Sequence, residues 1–298
     1  MFCRVFPNTV IYLIWIILSD SSPAPSAFPD DPGIFPWTLQ YQNKAPSLRE
    51  YDSLSTAVHN LASSGKNAGD YQKDFVANVS HDFRSPLTNI RGYIGAILDG
   101  TIPPEIQEKY LKIILRETDR LTKLTEQLLE MNRYENNGII LNYSTFDINE
   151  VIRNAASSFE KHCTEKKISI HLIFNTPSLY VDADRDKISQ VIQNLIDNAV
   201  KFSSPDSSIE IQTTVQKDKI FVTVSDHGIG IPEESLPHIW DRFYKTDVSR
   251  GKDKTGSGLG LAITKEIIDA HREYIHATSI LGSGTDFSFS LRHHSSGI

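Results

Sequence analysis

Two consecutive stretches of helical periodicity, separated by one glycine- and proline-marked break, constrain this chain more than any other feature. Over residues 71–99, Phe75, Val79, Phe83, Leu87, Ile90, Ile94 and Ile97 recur every three or four positions, the spacing that lines one face of an α-helix. Gly100-Thr101-Ile102-Pro103-Pro104 interrupts the pattern, since glycine ends helices and proline opens them. A second stripe follows through Tyr110, Ile113, Ile114, Leu121, Leu124, Leu128 and Met131. Two long helices with a short connection make an antiparallel hairpin. A lone hairpin leaves apolar seams uncovered, so we expect a dimer in which two hairpins form a four-helix bundle. A monomeric hairpin packed on the downstream domain is the alternative.

Beyond Asn136-Asn137-Gly138 the period changes. Residues 140–143 read as a strand, 148–165 as a helix, 168–172 as a strand, and Tyr180-Val181 as a short strand before a helix over 185–202. Ile209, Ile211, Thr213 and Val215, then Ile220, Val222 and Val224, alternate as half-buried strands joined by a tight turn do. A helix over 259–270 and strands near 274–280 and 286–291 complete the pattern. The class is α+β: a helical hairpin followed by an α/β sandwich with helices on one face of a mixed sheet.

Composition narrows the functions available. Thirty Lys and Arg against 37 Asp and Glu give a net charge of -7, with no basic block to neutralise duplex phosphates. Direct nucleic-acid binding is not expected. Cys3 and Cys163 are the only cysteines; they make neither a disulfide framework nor a zinc site, which suits a reducing cytosol. Cys163 reads as a half-buried helical thiol.

The chemistry concentrates at two places. In the 185–202 helix, Ile188, Val191, Ile192, Leu195, Ile196 and Ala199 form a core stripe. Asn194, Asn198 and Lys201 form a second stripe. Asparagine is a poor helix former, so two aligned suggest a task; a solvated polar face is the alternative that this helix alone leaves open. An amide oxygen is a hard ligand for Mg²⁺ shared with phosphates, and Lys201 can meet those phosphates as a point charge. Asp226 ends a strand just before Gly228 and Gly230. Such a carboxylate can accept a hydrogen bond from an exocyclic amine such as that of adenine, with glycines allowing close approach; a plain Asp-Gly turn is the bland alternative. Gly256-Ser257-Gly258-Leu259-Gly260 opens an amphipathic helix whose N-terminus favours phosphate. Its spacing misses the dinucleotide fingerprint by one residue, and the G-x-x-x-x-G-K-[ST] phosphate loop is absent. The polar run 245–255 ahead of it reads as a mobile lid.

The second place is His81. Asp82 follows it and can orient the imidazole and take its proton, sharpening the other nitrogen as a nucleophile. Pro86 removes the helical hydrogen bond to the Asp82 carbonyl and favours a kink beside it. His59, His162, His171, His227, His238, His271 and His276 have no comparable setting and read as structural or surface residues; His293 and His294 fall in a frayed tail.

Together these segments resemble the sensor histidine kinases of two-component signalling. Residues 75–87 around His81 resemble the phosphoacceptor box, 194–202 the N box, and 226–230 and 256–260 two glycine boxes. Asp241-Arg242-Phe243-Tyr244-Lys245 resembles the phenylalanine box, and Gly282-Ser283-Gly284-Thr285 the last glycine element. The resemblance covers about 67–292. It implies a dimeric hairpin followed by an ATP-binding domain of the GHKL (Bergerat) type. It also implies ATP-dependent autophosphorylation of His81 in a homodimer, then transfer to an aspartate in a response regulator receiver domain. Asp82 would be the base and Ser85 the residue tied to any phosphatase activity. Asn198 would hold Mg²⁺ with help from Asn194, Lys201 would touch phosphate, and Asp226 would read adenine with Thr285 nearby through water. Phe202, Gly228, Gly230, Phe243, Lys245, Gly256, Gly258, Leu259 and Gly260 would complete the nucleotide site.

Three departures stand out: Ser85 where Thr or Asn is common, Arg272-Glu273 where a glycine pair is usual, and no visible input region. They motivate an alternative in which the chain is an ATP-binding scaffold regulating a partner kinase. A chaperone- or topoisomerase-type clamp is opposed by the His81 hairpin. The expected organisation is a membrane anchor or remnant over 1–20, linker and connector helix over 21–66, phosphotransfer and dimerisation over 67–137, ATP binding over 138–292, and a tail over 293–298. The apolar run 10–18 falls short of the roughly 20 residues a spanning helix needs and resembles a signal-peptide core. Export would separate the enzyme from ATP, and Arg4 before the run with Asp20, Asp30 and Asp31 after it favours the wrong orientation. It reads as a weak anchor, a receptor remnant or an artefactual start, with the catalytic part on the cytoplasmic side of the cell membrane.

Overall fold

A computed structural model describes residues 68–246 and 256–294, with side chains from residue 78 onward. The apolar run, linker and connector helix expected before residue 68 lie outside it, as do most of the lid segment and the last four residues. The chain divides into two compact units between Leu129 and Glu130. No helix among the described residues is long and apolar enough to cross a membrane.

The first unit is the helical hairpin. Helix α1 (Ala68–Leu98) and helix α2 (Pro104–Asn137) are joined by a short turn. Its positive-φ Gly100 and the Ile102 N–H bonding the Ala96 carbonyl reverse the chain. The Tyr93 and Tyr110 rings meet across it at 5.2 Å. Val79, Phe83, Leu87 and Ile90 of α1 and Leu121, Leu124 and Leu128 of α2 are buried, each worth about 1.5–3 kcal/mol relative to exposure. Toward the turn the stripe is only half-buried, and apolar side chains there reach solvent. Ile94, Leu98, Ile106, Leu111 and Leu115 are exposed, Leu98 to 81%.

The second unit begins with the last two turns of α2. Strand β1 (Tyr143–Asp147) leads into α3 (Ile148–Ser158), α4 (Glu160–Lys166), β2 (Ser169–Phe174) and β3 (Tyr180–Asp184). Helix α5 (Arg185–Phe202), β4 (Ser208–Gln216), β5 (Lys219–Asp226), a 3₁₀ turn (Glu233–His238), α6 (Gly260–Ala270), β6 (Ile275–Ile280) and β7 (Gly284–Arg292) follow. The main sheet has the order β2-β4-β5-β7-β6, and β1 pairs only with β3. β2 and β4 run parallel while the other neighbours are antiparallel. The parallel pair demands a long crossover, and α5 supplies it. Lying between α3 and α6, α5 buries Ile188, Val191, Ile192, Leu195 and Ile196 completely.

Local chemistry sets the ends of α5. Asp184 caps it, one carboxylate oxygen accepting from the Asp186 and Lys187 N–H groups at 3.1 Å. At the other end the Lys166 ammonium donates to the Val200 and Lys201 carbonyls at 2.7 and 3.0 Å, a cation where the helix dipole favours one. Ser203 then bridges to Gly228, which ties this end of α5 to the loop leaving β5.

Three elements differ from the sequence expectation. The strand expected at 140–143 starts at Tyr143, because its pairing with β3 begins at Tyr143↔Asp184; Ile140 is 81% exposed. The helix expected over 148–165 breaks at Phe159, whose N–H turns back to the Ala156 carbonyl in a tighter bond. The histidines expected in a frayed tail are held: His293 bridges to Val181, and the His294 imidazole meets Asp182 at 2.9 Å.

Candidate functional site

In α1 the buried stripe includes Asp82 and Pro86, while His81, Ser85 and Arg84 face solvent. The His81 side chain is 80% exposed, and its Nδ1 lies 3.3 Å from Oδ1 of Asp82, a side chain only 10% exposed. A carboxylate accepts the Nδ1 proton and thereby fixes the tautomer, leaving Nε2 with the lone pair. The buried acid thus points the exposed base. Ser85 lies one turn on, also exposed. The helix continues through Pro86.

The second cluster gathers where α5, β5, β7 and α6 meet. Asp226 closes β5 and is 8% exposed. Its Oδ1 accepts the Gly228 N–H at 2.9 Å. Burial raises its pKa to about 6 from an ordinary 3.8, and nearby Asp286 adds to the rise; backbone hydrogen bonds from Gly228 and Thr285 oppose it. Register places Thr285 beside Asp226. On α5, the Asn194 amide donates to the Gly260 carbonyl at 3.3 Å and to Thr264 Oγ1 at 3.4 Å, so it pins the start of α6. Asn198, one turn on, is half-buried, and its side chain has no hydrogen-bond partner among the described residues. Leu259, at the N-cap of α6, supplies no capping side chain, and its own N–H donates to Ser257 Oγ at 3.2 Å; a helix start of this kind favours an anion.

The remaining expected site residues are engaged by the chain's own contacts. The Lys201 ammonium is held by Asp197 at 2.9 Å. Phe202 contributes its carbonyl, which accepts from the Ile229 N–H at 3.3 Å. Phe243 is buried, and its N–H donates to the Gly258 carbonyl at 2.9 Å. Leu259 is wholly buried, while Lys245, Gly256, Gly258 and Gly260 are half-buried on the flanking segment. The glycines answer first to the chain's own packing. A Cβ on Gly228 would fall 2.5 Å from the Phe202 carbonyl, and one on Gly230, at φ +67°, 2.2 Å from the Ile280 carbonyl.

Other positioning groups depend on partners distant in sequence. His271 is buried; its Nδ1 donates to the Ile267 carbonyl at 2.8 Å and its Nε2 accepts the Asp184 N–H at 3.0 Å, locking α6 to the start of α5. Glu130, at the end of α2, accepts from Lys187 at 3.0 Å, from Gln190 at 2.7 Å and from Tyr134. A run of helical charges gives no hint of such a partner. No group of three or more His, Cys, Asp or Glu side chains placed to hold a metal ion occurs among the described residues.

Comparison with known proteins gives these two clusters a common setting. Residues 71–137 match the family model described as His Kinase A (phospho-acceptor) domain, and residues 183–295 match that of the Histidine kinase-, DNA gyrase B-, and HSP90-like ATPase. The chain belongs to the sensor histidine kinases of two-component signalling. The sensor histidine kinase WalK of Bacillus subtilis (strain 168) is 34% identical over 245 residues, covering 80% of this chain and 39% of the relative. The sensor protein kinase WalK of Staphylococcus aureus is 34% identical over 223 residues, 74% of this chain and 53% of the relative. The chain therefore spans roughly two fifths to half of these kinases' length. Among solved structures, the Acinetobacter baumannii histidine kinase AdeS superposes with a TM-score of 0.59 at 28% identity, covering 72% of this chain and 98% of that one. The histidine kinase ThkA in complex with the response regulator protein TrrA gives 0.63 at 28% identity, covering 84% and 68%. The family's order is met: a helical phosphoacceptor region, then an α/β ATP-binding domain.

Proposed function

We propose that the chain uses ATP to phosphorylate His81 and passes the phosphoryl group to an aspartate on a response regulator receiver domain. The observation that carries this reading is the exposed His81 imidazole whose Nδ1 is engaged by buried Asp82. A surface histidine needs no buried carboxylate for solubility. A nucleophile does, because the proton must leave as the Nε2–P bond forms and the γ-phosphate parts from ADP. The phosphoramidate formed keeps a high transfer potential, so a carboxylate can receive it.

The second unit supplies the donor. Buried Asp226 accepts the amine of adenine, the start of α6 faces the phosphates, and Lys201 exchanges Asp197 for them. Asn198, with an unpartnered amide, fits a Mg²⁺ held between it and the phosphates, with Asn194 fixing α6 alongside; the ion would neutralise phosphate charge. The exposed apolar residues at the turn end of the hairpin support a homodimer that buries them against a second copy. ATP use sets the catalytic part in the cytoplasm, beside the membrane if the N-terminal segment anchors it.

Autophosphorylation with γ-labelled ATP and Mg²⁺ tests the reading. Asp82→Asn should slow labelling at least about 100-fold with ATP affinity unchanged, and Asn198→Ala should abolish it. Equal labelling in Asp82→Asn would remove its role as base.

A further inference from the structure

The last residues of β5 and the flanking strands form one row. Register sets Asp226 opposite Thr285 and Thr285 opposite Ser279. Ser279 Oγ makes three contacts there: the Ile231 N–H at 2.8 Å, the Gly284 carbonyl at 2.7 Å and Thr285 Oγ1 at 2.9 Å. A hydroxyl has one proton and two lone pairs. The Gly284 carbonyl can only accept, so it takes the Ser279 proton. The Ile231 N–H can only donate, so it takes one Ser279 lone pair. The second lone pair makes Thr285 the donor in their shared bond. The Thr285 hydroxyl then has no proton left to offer and presents lone pairs alone.

We propose that Ser279 is a positioning residue that holds the Thr285 hydroxyl as an acceptor, so that Thr285 and Asp226 together select a base carrying an exocyclic amine over one carrying a carbonyl. The inference rests on the nucleotide reading of this site. Two acceptors converge at the buried end of the row. The 6-amino group of adenine carries two N–H donors and satisfies both, directly or through one water. A 6-carbonyl base meets acceptor against acceptor, and a buried polar mismatch is costly. A Thr285 hydroxyl free to rotate would turn its proton toward such a carbonyl and relax the choice.

The test compares equilibrium binding of ATP and inosine triphosphate, which differ at this position of the ring, to the whole chain. Wild type should prefer ATP at least about tenfold. Ser279→Ala should shrink that preference about three- to tenfold, while Ser279→Thr, which keeps the hydroxyl, should retain it. In a Thr285→Val background, Ser279→Ala should leave the preference unaltered, because the group it acts through is gone. A merely structural role would weaken both nucleotides equally, and that outcome overturns the proposal; so does the same loss of preference with and without Thr285. Thermal melting of each variant identifies any that misfold, and Ser279→Thr keeps the question open to test if Ser279→Ala does. Should wild type bind neither nucleotide, or Asp226→Asn leave ATP affinity intact, the nucleotide reading itself fails and takes this proposal with it.

Discussion

Asp226→Asn should make the ATP-binding unit more stable at neutral pH while removing its nucleotide affinity. Asp226 is 8% exposed, and burial raises its pKa to about 6 from an ordinary 3.8, against the opposing backbone bonds from Gly228 and Thr285 and the nearby His227. A folded-state pKa above the unfolded value means the native state holds the proton more tightly. The associated stability is fully present below about pH 3.8 and is lost as pH rises through about 6. At about 1.36 kcal/mol per pH unit, the interval corresponds to about 3 kcal/mol forfeited by pH 7. An amide of the same shape never ionises, so it escapes this loss. It keeps one acceptor for two backbone donors, which costs about 1 kcal/mol at every pH. The difference in unfolding free energy between Asp226→Asn and wild type should therefore grow by about 2 kcal/mol from pH 4 to pH 7. Urea unfolding without nucleotide, followed by circular dichroism and by fluorescence of Trp240, which packs edge-on to Phe287, measures it. A difference that stays flat with pH would refute a carboxylate kept ionised at the expense of stability.

Further outcomes follow from other residues. Arg272 ends α6 at φ 58°, a conformation that strains a side chain, so Arg272→Gly should raise stability by about 1 kcal/mol in thermal melts with labelling unchanged. Gly228→Ala drives a methyl to 2.5 Å from the Phe202 carbonyl and should cost about 1–3 kcal/mol, with weakened ATP binding in calorimetry. Burial pushes the Glu130 pKa up, but hydrogen bonds from Tyr134, Lys187 and Gln190 outweigh it and hold the carboxyl below its ordinary 4.5. Its contribution is present above about pH 4.5 and is lost as pH falls through the lowered value. Glu130→Gln should therefore lack that acid-side loss in pH-dependent unfolding.

Local patterns were legible where one stripe and one cap decided the outcome. Helix α5 occupies the expected 185–202, because its apolar stripe is unbroken and Asp184 caps its start. The strands β4 and β5 alternate as their side chains do. What escaped depends on partners distant in sequence. The break at Phe159 lies in a run with no proline or glycine, and β1 begins where β3 begins to pair, not where the apolar residues begin. His294 was read as frayed because Asp182 lies 112 positions away. At the candidate site, His81, Asn198, Asp226 and the glycines were readable as residue types at set spacings. The reasons for them were less so: Gly228 and Gly230 fit the protein's own carbonyls, and Gly258 leaves room for the Phe243 backbone. Ser279 carries no motif of its own; only strand register sets it against Thr285.

The central claim is that His81 accepts the phosphoryl group, and locating the label tests it most directly. The whole chain, incubated with Mg²⁺ and γ-labelled ATP, should take up label that is stable in alkali and lost in acid, and that maps to the peptide containing His81. His81→Gln, with ATP affinity unaltered, should take up none. Label that persists in His81→Gln, or that maps to another residue, would contradict the account.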